Sequence, residues 1–290
     1  MPLVGVKCPY YKRPIKFKEC LECALAKDTP CGIPYGLLKA GSVLMSKPRP
    51  EVHVTDLTGC LRRAYFSKVA DYYEPPSQWI AAILGIFIHS KLEQFAPPGS
   101  DIELSLGATT LSGVKVVGTV DLLYKGEIRD TKSKRFLTPA KQPSASNARQ
   151  VNIYRWLLIE NGYEAESATL EYLALRGSTR CQKCKCEVIQ RDDKKWECPK
   201  CKKTWDEKKA HNGTYRVKVE MYPLDAIARW IDGRATLLDD ALKLGTIAPK
   251  VGEKDNWLCD YCSFENECKV VDKLEKMQRE KPSDIQNKAG

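Results

Sequence analysis

The chain has 290 residues, with 47 Lys+Arg against 37 Asp+Glu and a formal charge of +10. That length buries a full core and suits one large domain with additions, or two domains. The charge excludes a purely anionic surface and points to a polyanionic partner, of which nucleic acid is the commonest.

No apolar run approaches the ~18 residues of a membrane span. The start, Met1-Pro-Leu-Val-Gly-Val-Lys-Cys8, lacks the basic and then apolar regions of a secretion signal, so a soluble, cytoplasmic protein without a membrane partner is expected. Thirteen cysteines in a reducing compartment read as metal ligands rather than disulfides. Spacing sorts them into Cys8/Cys20/Cys23/Cys31, Cys181/Cys184/Cys198/Cys201, and Cys259/Cys262/Cys268 with an isolated Cys60; Cys186 is left over.

Residues 1–46 carry Cys8-x11-Cys20-x2-Cys23-x7-Cys31 among Pro and Lys, with little apolar periodicity. So short and polar a segment cannot bury a core, and a tetrahedral thiolate zinc site is the expected fold-former. Ser46-Lys-Pro-Arg-Pro50 reads as a linker. Thr55 is a candidate N-cap for a helix to about Val69, with Cys60 inside it beside Arg62 and Arg63. A lone helical Cys is usually a small buried hydrophobe, but this one is also well placed to complete the C-terminal trio. After Pro75-Pro76, a helix is predicted from about Ser77 to Phe95. Its Ile80, Ile83, Leu84, Phe87, Ile88 and Leu92 recur at helical spacing, so most of it should face the core. His89 and Glu93 lie four apart on one face. A strand over Ile102–Leu106 follows.

The run from Gly118 to Lys132 then sets two apolar-rich stretches around Lys125-Gly126, where Gly supplies the positive φ of a two-residue hairpin loop. In that register Asp121 lies directly opposite Asp130, and Lys132 points to the same face as Asp130. Facing like charges destabilise a sheet. A divalent cation removes the conflict by taking both carboxylates, so the hairpin reads as a metal-dependent phosphodiester-cleaving centre. The competing reading is a solvated face with one Asp–Lys pair.

Ser144 to about Glu160 reads as a helix closed by Asn161-Gly162, with Gln150 and Tyr154 four apart and Arg149 and Arg155 nearby. Ser167–Leu175 and Tyr215–Met221 alternate and should pair as strands. Between them, Cys181-x2-Cys184-x13-Cys198-x2-Cys201 has the spacing of a zinc ribbon inserted in a hairpin loop. Its lysines, with Trp196 and Trp205, suit either a nucleic-acid contact module or a structural rib with a solvated surface. Pro223 opens an amphipathic helix to Leu244 that ends at Gly245. The chain closes with Cys259-x2-Cys262-x5-Cys268 and a charged tail over 271–290.

In this order, His89, Gly118-x2-Asp121, Asp130-x-Lys132 and Gln150-x3-Tyr154 resemble the motif series of RecB-type nucleases of the PD-(D/E)xK superfamily. Cys60 with Cys259, Cys262 and Cys268 resembles the iron–sulfur version, familiar from CRISPR-associated RecB-like exonucleases, the fourth Cas type. The resemblance covers roughly 50–176 and 212–270. It implies an α/β (α+β) fold, a restriction-endonuclease-like mixed sheet flanked by helices, with a [4Fe–4S] cluster on those four cysteines acting as a clasp. It also implies that His89, Asp121 and Asp130 bind Mg2+ or Mn2+, with Glu93 as a further ligand or a partner of His89. Lys132 would then position the attacking water, and Gln150 and Tyr154 would orient the DNA. The 1–46 segment and the ribbon over 177–211, both expected to hold Zn2+, lie outside the minimal family pattern, and no Pro stands before Asp121.

The expected activity is a metal-dependent deoxyribonuclease acting on single-stranded ends or overhangs. One setting is prespacer processing before CRISPR integration, with integrase proteins as partners. The alternatives are a stand-alone viral, mobile-element or DNA-repair nuclease, and a catalytically silent, zinc-stabilised DNA-binding subunit.

Overall fold

The computed structural model describes residues 3–26, 31–134, 142–174, 181, 183–184, 186–193, 195–205, 214–252, 258–260 and 262–279. In chain order, a hairpin of β1 (Leu3–Lys7) and β2 (Pro14–Lys16) leads into α1 (Phe17–Leu25) and α2 (Tyr35–Leu44). β3 (Val52–His53) and α3 (Val54–Thr58) follow, then α4 (Leu61–Val69) and β4 (Tyr72–Glu74). α5 (Pro76–Leu92) continues into a 3-10 turn (Glu93–Phe95), ahead of β5 (Asp101–Thr109), β6 (Lys115–Tyr124) and β7 (Glu127–Lys134). α6 (Ala145–Glu160) crosses over to β8 (Ser167–Ala174). β9 (Ile189–Gln190), β10 (Trp196–Glu197) and β11 (Thr204–Trp205) form a small sheet; β12 (Thr214–Lys218), α7 (Leu224–Leu244) and α8 (Glu265–Arg279) complete the set.

Two compact units emerge: Met1–Pro48, Cys60–Pro76 and Asp240–Gly290 make one, Arg49–Gly59 and Ser77–Asp239 the other. The second holds a mixed sheet of order β12-β8-β7-β6-β3, with β5 on the other edge of β6. β7–β8 and β3–β6 are parallel, and the remaining pairs are antiparallel. α6 makes the crossover that a parallel β7–β8 pair requires. Its Val151, Ile153, Leu157 and Leu158 are fully buried, as are Val120, Ile128 and Leu170 of the sheet. This is the mixed α/β sheet flanked by helices that the sequence implies. β8 and β12 pair with Tyr172 opposite Tyr215, and the cysteine ribbon lies in sequence between them.

Several local expectations change. The helix drawn from Thr55 to Val69 is two helices: Gly59 leaves helical geometry and Cys60 is the N-cap of α4, not an interior residue. Glycine weakens the run there because it is a poor helix former. α5 is not mainly core-facing. Trp79 and Ile83 are buried, whereas Leu84, Ile86, Phe87 and Leu92 are 40–46% exposed. Its sequence is apolar nearly all round, so spacing singled out no true inner face.

In the first unit, β1 pairs in parallel with β4 and antiparallel with β2. Leu3, Val6, Ile15, Phe17 and Leu38 are buried there, so the N-terminal segment has apolar packing of its own besides its thiols. The charged C-terminal stretch is helical to Arg279. Arg62, only 5% exposed, holds it by bonding Asp272 at 2.7 Å and Glu275 at 2.8 Å, two carboxylates three apart on α8.

Candidate active site

Lys125 and Gly126 both take positive φ, +50° and +72°, the pairing that a two-residue hairpin turn needs. The register Tyr124↔Glu127, Leu123↔Ile128, Leu122↔Arg129 places Asp121 and Asp130 next across the hairpin. There the strands part. Beyond Leu122 the edge of β6 that faced β7 pairs with β3 at Val116 and Val117, while β7 pairs with β8 along its whole length. Asp121 bridges the fork, its Oδ2 accepting a hydrogen bond from the Thr131 N–H at 3.1 Å. His89 Nδ1, from α5, lies 3.1 Å from the same oxygen.

Asp130 is 1% exposed. The Lys132 ammonium sits 2.9 Å from its Oδ1 and 2.8 Å from its Oδ2, with bonding geometry satisfied only toward Oδ1, so Oδ2 is left without a hydrogen-bond partner. Burial raises the Asp130 pKa to about 6, with Lys132 opposing and the Asp121 charge adding. The Asp121 hydrogen bond raises the pKa of His89 against the effect of burial, favouring imidazolium. A buried carboxylate near a second carboxylate and an imidazole has the donor chemistry of a divalent-cation site, and among the described residues only the ribbon thiols already lie within 4.8 Å of one another.

α6 supplies the remaining pair. Gln150 Nε2 donates to the Tyr154 hydroxyl at 2.9 Å. Burial and then the nearby Asp130 charge push the Tyr154 pKa well above the ordinary range, so the phenol stays protonated. Gly118 makes this packing possible. A Cβ there would lie 2.6 Å from Val54 Cγ2, 3.1 Å from Leu157 Cδ1 and 3.2 Å from Tyr154 Cε1.

One acidic residue escaped the sequence reading. Glu103 falls between the pairs Ile102↔Leu122 and Leu104↔Val120, opposite Asp121 on the other neighbour of β6. Its φ of +49° is strained for a non-glycine in a strand. Burial, then a hydrogen bond with Glu93 and the charges of Glu93 and Asp121, raise its pKa to about 7. His89, Glu93 and Glu103 line one cleft with Gly85 and Ser90. The signal was available: an acid between two apolar residues of a strand, beside the suspected hairpin.

In the ribbon, the sulfurs of Cys181, Cys184, Cys198 and Cys201 lie within 4.8 Å of one another, the one such group among the described residues. A single zinc ion with ~2.3 Å Zn–S bonds holds tetrahedral thiolates about 3.8 Å apart, which matches. Cys186 is close too, at 3.4 Å from Cys184 and 3.2 Å from Cys198. Burial opposes ionisation of Cys198, but the Cys201 N–H and the neighbouring thiols bring it down to about 5. In the first unit, Cys8, Cys20, Cys23 and Cys31 line one pocket, and Cys20 is pushed up to about 12 by burial and then by the other three. There too, Cys259 interacts electrostatically with Cys268 and Cys60, and Cys262 with Cys60 and Cys259.

A model of the PD-(D/E)XK nuclease superfamily matches residues 95–269. Among solved structures, that of SSO0001 is 19% identical over 79% of this chain and 92% of its own, with a TM-score of 0.45. A phage-related exonuclease from Haemophilus somnus 129PT is 11% identical over 67% of this chain and 96% of its own, with a TM-score of 0.39. No curated protein sequence matches. Among the described residues no helix is long and apolar enough to cross a membrane.

Proposed function

The chain belongs to the PD-(D/E)XK nuclease superfamily, and from that premise we propose that it is a Mg2+- or Mn2+-dependent deoxyribonuclease acting on single-stranded DNA ends or overhangs. The observation that carries the reading is the parting of β6 and β7, which sets Asp121 and the 1%-exposed Asp130 beside His89 and Lys132.

His89, Asp121 and Asp130 would hold the metal ion, with Glu93 and Glu103 available at the same cleft; bound there, it polarises the scissile phosphate and lowers the pKa of an attacking water. Lys132 orients that water and offers its ammonium to charge building on the phosphoryl oxygens, already positioned by Asp130. Tyr154 accepts from Gln150 and keeps its own proton to donate, so the pair orients the strand through a phosphate oxygen or a base edge. The formal charge of +10 suits the polyanionic substrate.

Four thiolates interacting in the first unit suit a [4Fe–4S] cluster on Cys60, Cys259, Cys262 and Cys268, which needs its ligands farther apart than a single ion does. Zn2+ suits the ribbon tetrad and the N-terminal tetrad. The cytoplasm, where thiols stay reduced, fits all three sites. Trimming of DNA before CRISPR integration, alongside integrase proteins, is one setting for this chemistry. The two accessory cysteine modules favour the other, a stand-alone nuclease of a virus, mobile element or repair pathway.

The test is cleavage of end-labelled single-stranded and duplex DNA with Mn2+, Mg2+ or EDTA, using anaerobically purified wild type and Asp130→Ala. Metal-dependent cutting that disappears in the variant supports the reading, and the product ladder gives polarity. A cluster-loaded wild type that binds DNA but never cuts it would replace the nuclease with a binding subunit.

A further inference from the structure

The β1–β2 hairpin ends in a knuckle that the proposed chemistry does not use. Cys8 Sγ accepts from the Tyr11 N–H at 3.5 Å, the Lys12 N–H donates to the Cys8 carbonyl at 2.9 Å, and the Cys8 N–H donates to the Arg13 carbonyl at 3.0 Å. Lys12 closes the turn with a φ of +53°. These bonds fix the backbone from Cys8 to Arg13 and throw two aromatic side chains outward.

Tyr10 is 59% exposed and Tyr11 52%. Their rings meet edge to face, with centroids 5.0 Å apart and planes at 88°, and both residues stay more than half exposed. The Arg13 guanidinium stands 6.0 Å from the Tyr11 centroid. Lys12, Arg13, Lys16 and Lys18 are all exposed, and no carboxylate occurs between Cys8 and Lys18.

Tyr11 and Arg13 also border the pocket of the four cysteines, whereas Tyr10 does not, and the neighbouring core is made without either ring by Leu3, Val6, Ile15, Phe17 and Leu38. Open aromatic faces among cations are what a single nucleic-acid strand binds. Its unpaired bases expose π-faces for stacking, and its phosphates meet Lys and Arg. A duplex keeps its base faces internal, and an acidic peptide would use the cations but not the rings.

We propose that this knuckle is a strand-holding surface, with Tyr10 and Tyr11 stacking bases of a DNA single strand and Lys12, Arg13, Lys16 and Lys18 taking its phosphates. The proposal rests on the reading of the chain as a nuclease for single-stranded ends and adds a second place where the strand is gripped. Because the tip is already tied by Cys8, little backbone freedom is lost when the strand arrives.

The experiment uses the full, zinc-loaded chain without chelator and without added Mg2+ or Mn2+, with a fluorescent oligothymidylate followed by anisotropy across a salt series. Tyr10→Ala/Tyr11→Ala should weaken binding by at least about fivefold and by up to about 150-fold per stacked ring. Tyr10→Phe/Tyr11→Phe should bind as the wild type does, because stacking needs the ring and not the hydroxyl. Lys12→Ala/Arg13→Ala should flatten the salt dependence by about 0.7 in log–log slope for each phosphate no longer neutralised. A bromodeoxyuridine-substituted strand should crosslink to Tyr10 or Tyr11. Wild-type affinity in the Ala pair, or equal losses in the Ala and Phe pairs, would overturn the proposal. So would polyaspartate displacing the strand from wild type and Ala pair alike, which would leave only a cationic surface. The arms separate the two readings. Loss of binding in the Ala pair with no cleavage by any form removes the nuclease and keeps the knuckle; normal cleavage with unchanged binding does the reverse.

Discussion

Asp130→Asn should make the metal-free protein more stable while making it inert. The wild-type carboxyl is 1% exposed, and burial lifts its pKa from 3.8 to about 6 even with the Lys132 ammonium beside it. That rise from 3.8 to about 6 means that the folded state prefers the neutral carboxyl by about 3 kcal/mol. Stability conferred by the neutral form is fully present below 3.8 and is lost as pH rises through about 6. Near neutral pH the wild type has lost all of it. Asn keeps the shape of the neutral group, so it should gain up to about 3 kcal/mol in that range and almost nothing at low pH. Lys132, with a side chain 23% exposed, can turn to solvent when its partner charge is gone. The assay is urea denaturation of both proteins in EDTA at neutral and acid pH, repeated with Mn2+. Added Mn2+ should restore stability to the wild type and leave the variant unchanged. A variant less stable than the wild type at neutral pH, or one whose gain is the same at both pH values, would refute the reasoning.

The remaining predictions concern the metal, the packing and the ribbon. The Asp121 hydrogen bond raises the pKa of His89, so the metal-free protein keeps that proton to a higher pH than free histidine does. Metal affinity should therefore rise with pH through this titration. Calorimetry in buffers of differing ionisation enthalpy should detect about one proton released per ion below it, and none would remove His89 from the ligand set. Gly118→Ala should cost about 1–3 kcal/mol in denaturation and slow cleavage, since its Cβ would come within 3.2 Å of Tyr154 Cε1. Cys198→Ser should release the ribbon zinc to a chelator, whereas Cys186→Ser should retain it. The bond from the Cys181 N–H to the Cys186 carbonyl matches that from the Cys198 N–H to the Lys203 carbonyl, which gives Cys186 the position of a non-ligand.

What the sequence disclosed was mostly local or periodic. Lys125-Gly126 dictates its turn, the turn dictates the register, and the register leads Asp121 and Asp130 to the point where the two strands part. The cysteines declared themselves by spacing, and α6 by Ser144 at one end and Asn161-Gly162 at the other. What stayed hidden depends on partners distant in sequence. Glu103 becomes part of the site only because β5 pairs along β6, and no motif marks it. The β1–β4 pairing joins segments about seventy residues apart, so a stretch that looked too polar to pack has a core. The charged stretch after Cys268 is held by Arg62 through two ion pairs that no local propensity could show.

The two carboxylates at the parting of β6 and β7 show how the proposed centre would be kept ready for an ion. Each has been given a cation that a metal can replace: Asp121 has His89 and the Thr131 N–H, and Asp130 has Lys132. These groups hold the oxygens in place without saturating them, since Asp130 Oδ2 accepts no hydrogen bond and has only the ion pair with Lys132. If His89, Asp121 and Asp130 hold an ion as proposed, His89 would have to shed its proton to serve as a ligand. Lys132 would then be partly released from Asp130, toward the phosphate it is proposed to serve. Binding and release would be coupled, because ion and lysine would compete for the same buried carboxylate. Lys132→Met would separate them: the ion should bind no worse, having lost a competitor, while cleavage falls by about 100- to 1000-fold. Weaker Mn2+ binding in that variant would show instead that the lysine's role is to hold Asp130 in place.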